Sequence, residues 1–482
     1  VARQQVSTIL CSLARAGQQV HCLRWNTTQL WTSNQLRMCT AVAFRGSVSP
    51  GYEPVLEEFK SQFAKGWHVG AGFAAFANGE KVVDIQGGDA SVADAATGTP
   101  AEPFDEHTLT FVASCTKFAE SLVIALLVAR GQLAYDEPIA KYWPEFAQHG
   151  KGHITVGQLM QHRAGIPVIQ EKLGADLLLN NNDGLSELLA RQELVWEVPS
   201  DSQIDPAPQQ AYHGITRGLY ADQLCMRVDP RKRSIGQVLR DDVCEKICAE
   251  FYIGLPDDLL ASPRQATNVQ GPAMYVMHKL GLAPELPEDM KKLEGDETVN
   301  FTDYELAFLK DLFTDPKSWA SRSLMLLDMK PDDKKTNRFG VSDFVLSCSL
   351  PSSNGVTNTS SLAALAEVVR TGGHFQGTPI FPDSGSKTIN AASALAGSYS
   401  DDLIMRTPVR FTRGGFAQFF AEDSGKTECF GWGGAGGSMV RWCPSKKVAC
   451  AFSMNKLGLR MAMNDPRGNR LLATTLDCTE TA

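Results

Sequence analysis

Three short stretches place reactive side chains where they could act on a carbonyl group. In "SCTK", Ser114 stands three residues before Lys117, at the start of an apolar run that continues to Leu133. On a helix, positions three apart share a face, and the Ser114 N–H would lie at the positive end of the helix dipole. A hydroxyl is a weak nucleophile until a base takes its proton. A lysine becomes that base when desolvation or a nearby cation lowers its pKa. The competing reading is a helix cap with a basic residue in its first turn. In "QQAYHGITRGLY", Tyr212 could act as a general base in its phenolate form. A tyrosine packed at a helix start is the alternative, and His213 reads as structural. In "FGWGGAGGSMVRW", Trp432, Gly433, Gly434 and Ala435 form a Gly-rich strand edge. Backbone N–H groups there can approach a substrate carbonyl closely; a plain hairpin is the alternative.

Other chemistries fall away. Gly431, Gly433 and Gly436 match a dinucleotide-binding pattern formally, but a strand follows rather than a helix. No Gly-x-Ser-x-Gly, His-Glu-x-x-His or Walker loop is present. Ser-x-x-Lys recurs in "SGSK" (Ser384–Lys387), read as a turn, and in "SMNK" (Ser453–Lys456), read as a strand end. Only "SCTK" is expected to open a helix.

The elements that must position these residues follow from the pattern. "EPVLEEFKSQFAKGW" (Glu53–Trp67) reads as an amphipathic helix. Asn78-Gly79 between two apolar stretches predicts a hairpin. From about Gln170 to Gly373 the pattern is helical. "SIGQVLRDDVCEKICAEF" and "NTSSLAALAEVVRTGG" are the clearest helices, the second capped by Asn358 or Thr359 and stopped by Gly372. "VRFTRGGFAQFF", "GSMVRWCP" and "KVACAFSMNK" predict an antiparallel meander, and a helix over Asn469–Cys478 closes the chain. This is an α+β class: one antiparallel sheet from both chain ends, flanked by helices, with a mainly helical domain inserted. The expected division is 46–135 plus 375–482 for the α/β catalytic domain and 136–374 for the insertion, after an extension over 1–45.

The 482 residues carry a formal net charge of -8, from 46 basic and 54 acidic side chains, with no basic block to favour nucleic acid. No run of 18 apolar residues predicts a membrane span. Twelve Cys are scattered without a Cys-x-x-Cys pair. Cys244 and Cys248 share a helix face rather than a zinc clamp, so no metal site is expected. Many unpaired thiols suit a reducing compartment, hence a cytoplasmic location. Residues 1–52 contain no Asp or Glu but include Arg3, Arg15, Arg24, Arg37 and Arg45. Residues 1–37 therefore read either as a mitochondrial transit-like segment or, by slight preference, as sequence upstream of a start at Met38.

From about Gly46 to the C-terminus the chain resembles the serine β-lactamase-like family: class C β-lactamases, low-molecular-weight penicillin-binding proteins and family VIII carboxylesterases. "FVASCTK" is similar to the first family motif, and "YWPEF" and "ITVGQLMQHRAGIP" to the stretches that follow it. "AYHG" stands where the family has Tyr-x-Asn, "GWGGAGGS" where β-lactamases have Lys-Thr-Gly, and "SSNGVTN" resembles a segment of esterase-like members to which no chemistry is assigned. The resemblance implies a catalytic trio of Ser114, Lys117 and Tyr212, with Ser114 and Ala435 N–H groups as oxyanion donors beside Trp432, Gly433 and Gly434. It implies an active site between the two domains, no metal or organic cofactor, and a small-molecule ester or amide substrate. Gly214 and Trp432 replace an amide and a cation that help hold β-lactams, and losing charge-assisted bonds disfavours an anionic substrate. The implied function is ester hydrolysis through an acyl-enzyme. A β-lactamase, D-amino-acid peptidase or amidase is the first alternative, and a non-catalytic scaffold or assembly protein the second.

Overall fold

The computed structural model describes residues 42–91, 100–199, 209–269, 273–282, 291–328, 338–339, 341–382, 385–397, 399–458, 460 and 464–481. The 1–37 segment lies outside these. Strand β1 (Phe44–Val48) leads into helix α1 (Glu53–Ala64). Pro54 occupies the first turn of α1, where its missing N–H has no helical partner to lose. Val55, Phe59 and Phe63 recur at four-residue spacing on the buried face. Strands β2 (Gly70–Ala77) and β3 (Glu80–Ser91) form the predicted hairpin. Asn78 and Gly79 both take positive φ, 52° and 98°, and such a turn matches the twist of the flanking strands.

A tight turn over Ala113–Cys115 opens helix α2 (Thr116–Ala129), and α3 (Thr216–Val228) and α4 (Thr359–Arg370) follow. Strands β4 (Ala417–Phe420), β5 (Glu428–Gly433), β6 (Met439–Cys443) and β7 (Val448–Met454) precede helix α5 (Pro466–Thr481). The main sheet runs β1-β3-β2-β7-β6-β5-β4, all antiparallel, so both chain ends build it as predicted. Successive residues of β2 and β7 point to opposite faces. Phe73, Cys450 and Phe452 pack with α1 and α5, while Ala74, Phe76, Ala449 and Ala451 pack with α2 and α4. Burial on both faces explains why these central strands are apolar but for Ser453, whose hydroxyl is met by Thr359.

The structure departs from the sequence reading in several places. "VRFTRGGFAQFF" is not one strand: Thr412 to Gly415 turns the chain, β4 joins the main sheet, and Pro408–Val409 pairs with Ser400–Asp401 outside it. The closing helix is longer, starting at Pro466. "SIGQVLRDDVCEKICAEF" breaks into Ile235–Leu239, a wide turn over Arg240–Cys244, and Glu245–Ile247, with Cys248 left-handed at φ 53°. Gly385–Ser393 is helical rather than a plain turn, because Ile389 and Ala392 are buried against the α2 side of the core. Helix α4 is capped by Asn358, whose side chain accepts from Ser361 N–H. It falls within the 136–374 span yet lies on β2, β6 and β7, where Gly72 and three alanines leave room for it.

Cys429 and Cys443 form a disulfide across β5 and β6, a pairing the sequence reading did not foresee. Fourteen residues separate them, and only strand pairing brings their Cα atoms to 4.2 Å. Seven other described cysteines form no disulfide. Among the described residues, no helix is long and apolar enough to cross a membrane and no group of three ligating side chains could hold a metal.

Candidate active site

The Ser114 turn is built under strain. Ala113 has φ 44°, a left-handed conformation costly for a residue with a Cβ, held by the surrounding structure. Val112 N–H donates to Gly355 O (2.9 Å), Gly355 N–H donates to Thr116 Oγ1 (2.7 Å), and Thr116 Oγ1 donates to Ala113 O. Ser438 Oγ donates to Val112 O from the β5–β6 turn (2.9 Å). The "SSNGVTN" segment thus frames the turn from one side and the Gly-rich hairpin from the other. A Cβ at Gly434 would lie 2.1 Å from Val112 O, so only glycine permits this approach. Ala435 is exposed at the hairpin tip, and no described protein acceptor meets the N–H of Ser114 or Ala435.

Ser114 is half-buried, and its Oγ lies 2.7 Å from Tyr212 Oη. Lys117 is fully buried one helical turn on. Its Nζ donates to Gly214 O (2.5 Å) and Ser352 O (2.9 Å) and stands 4.6 Å from the Tyr212 ring centre. Burial above all, then the Arg217 cation, holds the Lys117 pKa well below its ordinary 10.5, against the opposing pull of Glu120. A neutral amine has two N–H donors, both matched here by carbonyls, and its lone pair stays available. Burial also drives the Tyr212 hydroxyl above its ordinary range, more than the Ser114 hydrogen bond and Arg217 lower it. A standing phenolate at Tyr212 is therefore disfavoured. The arrangement is a phenol hydrogen-bonded to the Ser114 hydroxyl, with an amine of lowered pKa 4.6 Å from the centre of the phenol ring.

Several supporting residues escaped the sequence reading. Arg217 and Glu120 form a fully buried, two-pronged ion pair, with Nε–Oε1 at 2.9 Å and Nη2–Oε2 at 3.2 Å. Arg217 also donates to Met160 O (3.1 Å), Gly415 O (3.0 Å) and Lys117 O (2.9 Å), and Glu120 accepts from Ser352 Oγ (2.9 Å). Such satisfaction is what allows a buried pair to persist. Glu120 was findable, since it lies three residues beyond Lys117 on the same helix, and Ser352 opens the "SSNGVTN" segment to which no chemistry was assigned; Arg217 carried no signal of its own. His213 is structural as expected: Nδ1 donates to Ala211 O (2.6 Å) and Nε2 accepts from Ile166 N–H (3.3 Å). His162 Nδ1 accepts from His213 N–H (2.9 Å).

The two departures at Gly214 and Trp432 have steric and electrostatic content. A Cβ on Gly214 would sit 2.4 Å from the Leu324 Cδ2 methyl, so an asparagine there requires the Leu324 side chain to move. Trp432 is buried, its ring 5.6 Å from Phe411, 6.2 Å from Tyr212 and 5.3 Å from the Arg217 guanidinium. Lys117 and Arg217 are both fully buried and committed to internal partners.

The chain matches the Beta-lactamase family profile over residues 56–474. It belongs to the β-lactamase family. Within that family it is 27% identical over 212 residues to the esterase/β-lactamase LipL of Mycobacterium tuberculosis, covering 44% of this chain and 45% of LipL. The match thus spans less than half of that relative. Two solved structures align over 90% of this β-lactamase-family chain and 100% of their own, each with a TM-score of 0.68. One is a penicillin-binding protein homologue from Caulobacter crescentus (27% identity), the other a family VIII carboxylesterase (26% identity). Their shared architecture is the mixed α/β fold with an antiparallel sheet described above.

Proposed function

We propose that this chain is a serine hydrolase that cleaves neutral carboxylic esters through an acyl-enzyme on Ser114. The observation that carries the reading is the 2.7 Å contact of Ser114 Oγ with Tyr212 Oη, beside a buried, pKa-lowered Lys117. The Ser114 proton leaves through Tyr212, with neutral Lys117 as the base behind it. Ser114 Oγ bonds to the substrate carbonyl carbon, and the N–H groups of Ser114 and Ala435 receive the oxyanion. The proton returns through Tyr212 to the departing alcohol. Water then repeats the sequence and frees the acid and Ser114. The preference for esters without a carboxylate is supported by Trp432 and Gly214 and by the burial of Lys117 and Arg217, each held by internal partners rather than offered to a substrate carboxylate. The similarity to the esterase/β-lactamase LipL and to a family VIII carboxylesterase supports the same class. The catalytic α/β part (46–135 with 375–482) and the helical part (136–374) would close on the site from two sides. We place the enzyme in the cytoplasm, because most of its described cysteines form no disulfide; a leader role for 1–37 would move it to mitochondria.

The test compares wild type and Ser114→Ala on p-nitrophenyl butyrate and a chromogenic cephalosporin. Loss of the nucleophile should lower ester turnover at least ~1000-fold, with little cephalosporin cleavage by either protein. Equal ester rates in the two proteins would defeat the proposal.

A further inference from the structure

Tyr212 is held at both ends of its peptide unit. Its carbonyl accepts from Ser323 Oγ (2.9 Å), which also receives Gly214 N–H (3.2 Å). Its N–H donates to Asp402 Oδ1 (3.0 Å), a residue 190 positions later in the chain. The same oxygen accepts from Ile404 N–H (3.0 Å) and Met405 N–H (2.9 Å). Asp402 is 1% exposed, and its second oxygen, Oδ2, is buried without a hydrogen-bond partner. The Gln210 amide lies beside it, and Gln210 Oε1 is also unpartnered. A buried carboxyl with one oxygen fully used and the other faced only by the Gln210 side chain is poised between its two protonation states: three N–H donors and the Gln210 amide favour the anion, and burial favours the acid.

We propose that Asp402 is a positioning residue for the acyl-transfer chemistry, anchoring the Tyr212 backbone and setting by its charge how readily the Tyr212 hydroxyl exchanges its proton. This rests on the ester hydrolase reading. Other groups facing Tyr212 are Ser114, Lys117, His162 and Trp432, with Arg217 and Glu120 acting on its charge from the buried pair. An ionised Asp402 raises the proton affinity of the phenol, as Glu120 does, while Arg217 lowers it. Burial pushes the Asp402 carboxyl up to about 6, so this influence switches within the working pH range of most enzymes. Asp222 on α3 is also raised to about 6, so a variant is needed to assign any inflection there.

The test uses Asp402→Asn and Asp402→Ala. Asparagine keeps an acceptor for the three N–H groups and places its NH2 where Oδ2 lacked a partner, so the fold should persist. We measure kcat and KM for p-nitrophenyl butyrate from about pH 5 to about pH 8, and the rate of Ser114 labelling by a fluorophosphonate over the same range. Wild type should show an inflection near the Asp402 pKa. Asp402→Asn should lose that inflection and change kcat roughly three- to tenfold with KM little moved. Asp402→Ala should lose more, because the Tyr212 anchor is gone. An Asn variant with the wild-type pH profile, or losses in proportion to unfolded protein alone, would overturn the proposal. A wild type that labels at Ser114 without hydrolysing esters would sink the ester reading alone, since the labelling profiles still judge Asp402. A wild type that does not label would overturn both.

Discussion

Ser114 and Lys117 stand on a strained turn and the first turn of α2, whereas Ser453 and Lys456, at the same spacing, stand on β7 and just beyond it. In the first pair the helical backbone sets both side chains toward the Tyr212 segment. Ser114 Oγ meets Tyr212, and Lys117 Nζ meets the carbonyls of Gly214 and Ser352. In the second pair the extended backbone separates them, because side chains alternate across a sheet. Ser453 Oγ is buried against Thr359 Oγ1 on α4 (2.6 Å), while Lys456 Nζ donates to Gly66 O (2.6 Å). Burial lowers the pKa of both lysines, but Lys117 stands over the Tyr212 ring, whose hydroxyl meets Ser114, whereas Lys456 is tied to Gly66 O. The difference teaches that Ser-x-x-Lys carries chemistry through the backbone that bears it, not through spacing alone.

The comparison can be broken most directly by removing each amine. Lys117→Met should lower ester turnover by about 1000-fold, whereas Lys456→Met should stay within about twofold of wild type. Equal damage from the two would erase the distinction. A smaller effect concerns pH. The folded pKa of Lys117 lies below its unfolded value, so the unfolded chain binds more protons. Stability should therefore rise with pH between the lowered folded pKa and 10.5, by up to about 1.4 kcal/mol per pH unit. Urea unfolding of wild type and Lys117→Met at rising pH would show the wild type gaining on the variant; a pH-independent gap would mean that Lys117 is charged in the folded state. The smallest effect is expected at the other serine. Ser453→Ala should destabilise by about 1 kcal/mol, by stranding Thr359 Oγ1, with ester turnover unchanged. A loss of turnover there would blur the contrast.

Much of the architecture was legible because it is local. The Asn78-Gly79 turn, the four-residue repeat of α1, the Asn358 cap and the two-residue alternation of the strands are properties of neighbouring residues. Ser114, Lys117, Tyr212 and the hairpin of Trp432 to Ala435 were all named, and the structure brings Ser114, Lys117, Tyr212 and Trp432 together. The break in "VRFTRGGFAQFF" and the helix at Gly385–Ser393 were missed, because packing against other segments decides them.

The local pattern by itself determined which residues could enter helices and strands, and which hydroxyl, amine and phenol were candidates for chemistry. Only the tertiary structure decided their protonation and their company. The Lys117 pKa is lowered because α2 is buried and Arg217 lies near; Tyr212 is held because Asp402 returns to it from 190 residues away; and Cys429 meets Cys443 because two strands pair. Dielectric surroundings and long-range hydrogen bonds depend on which distant segments meet, and no short window of sequence contains that information.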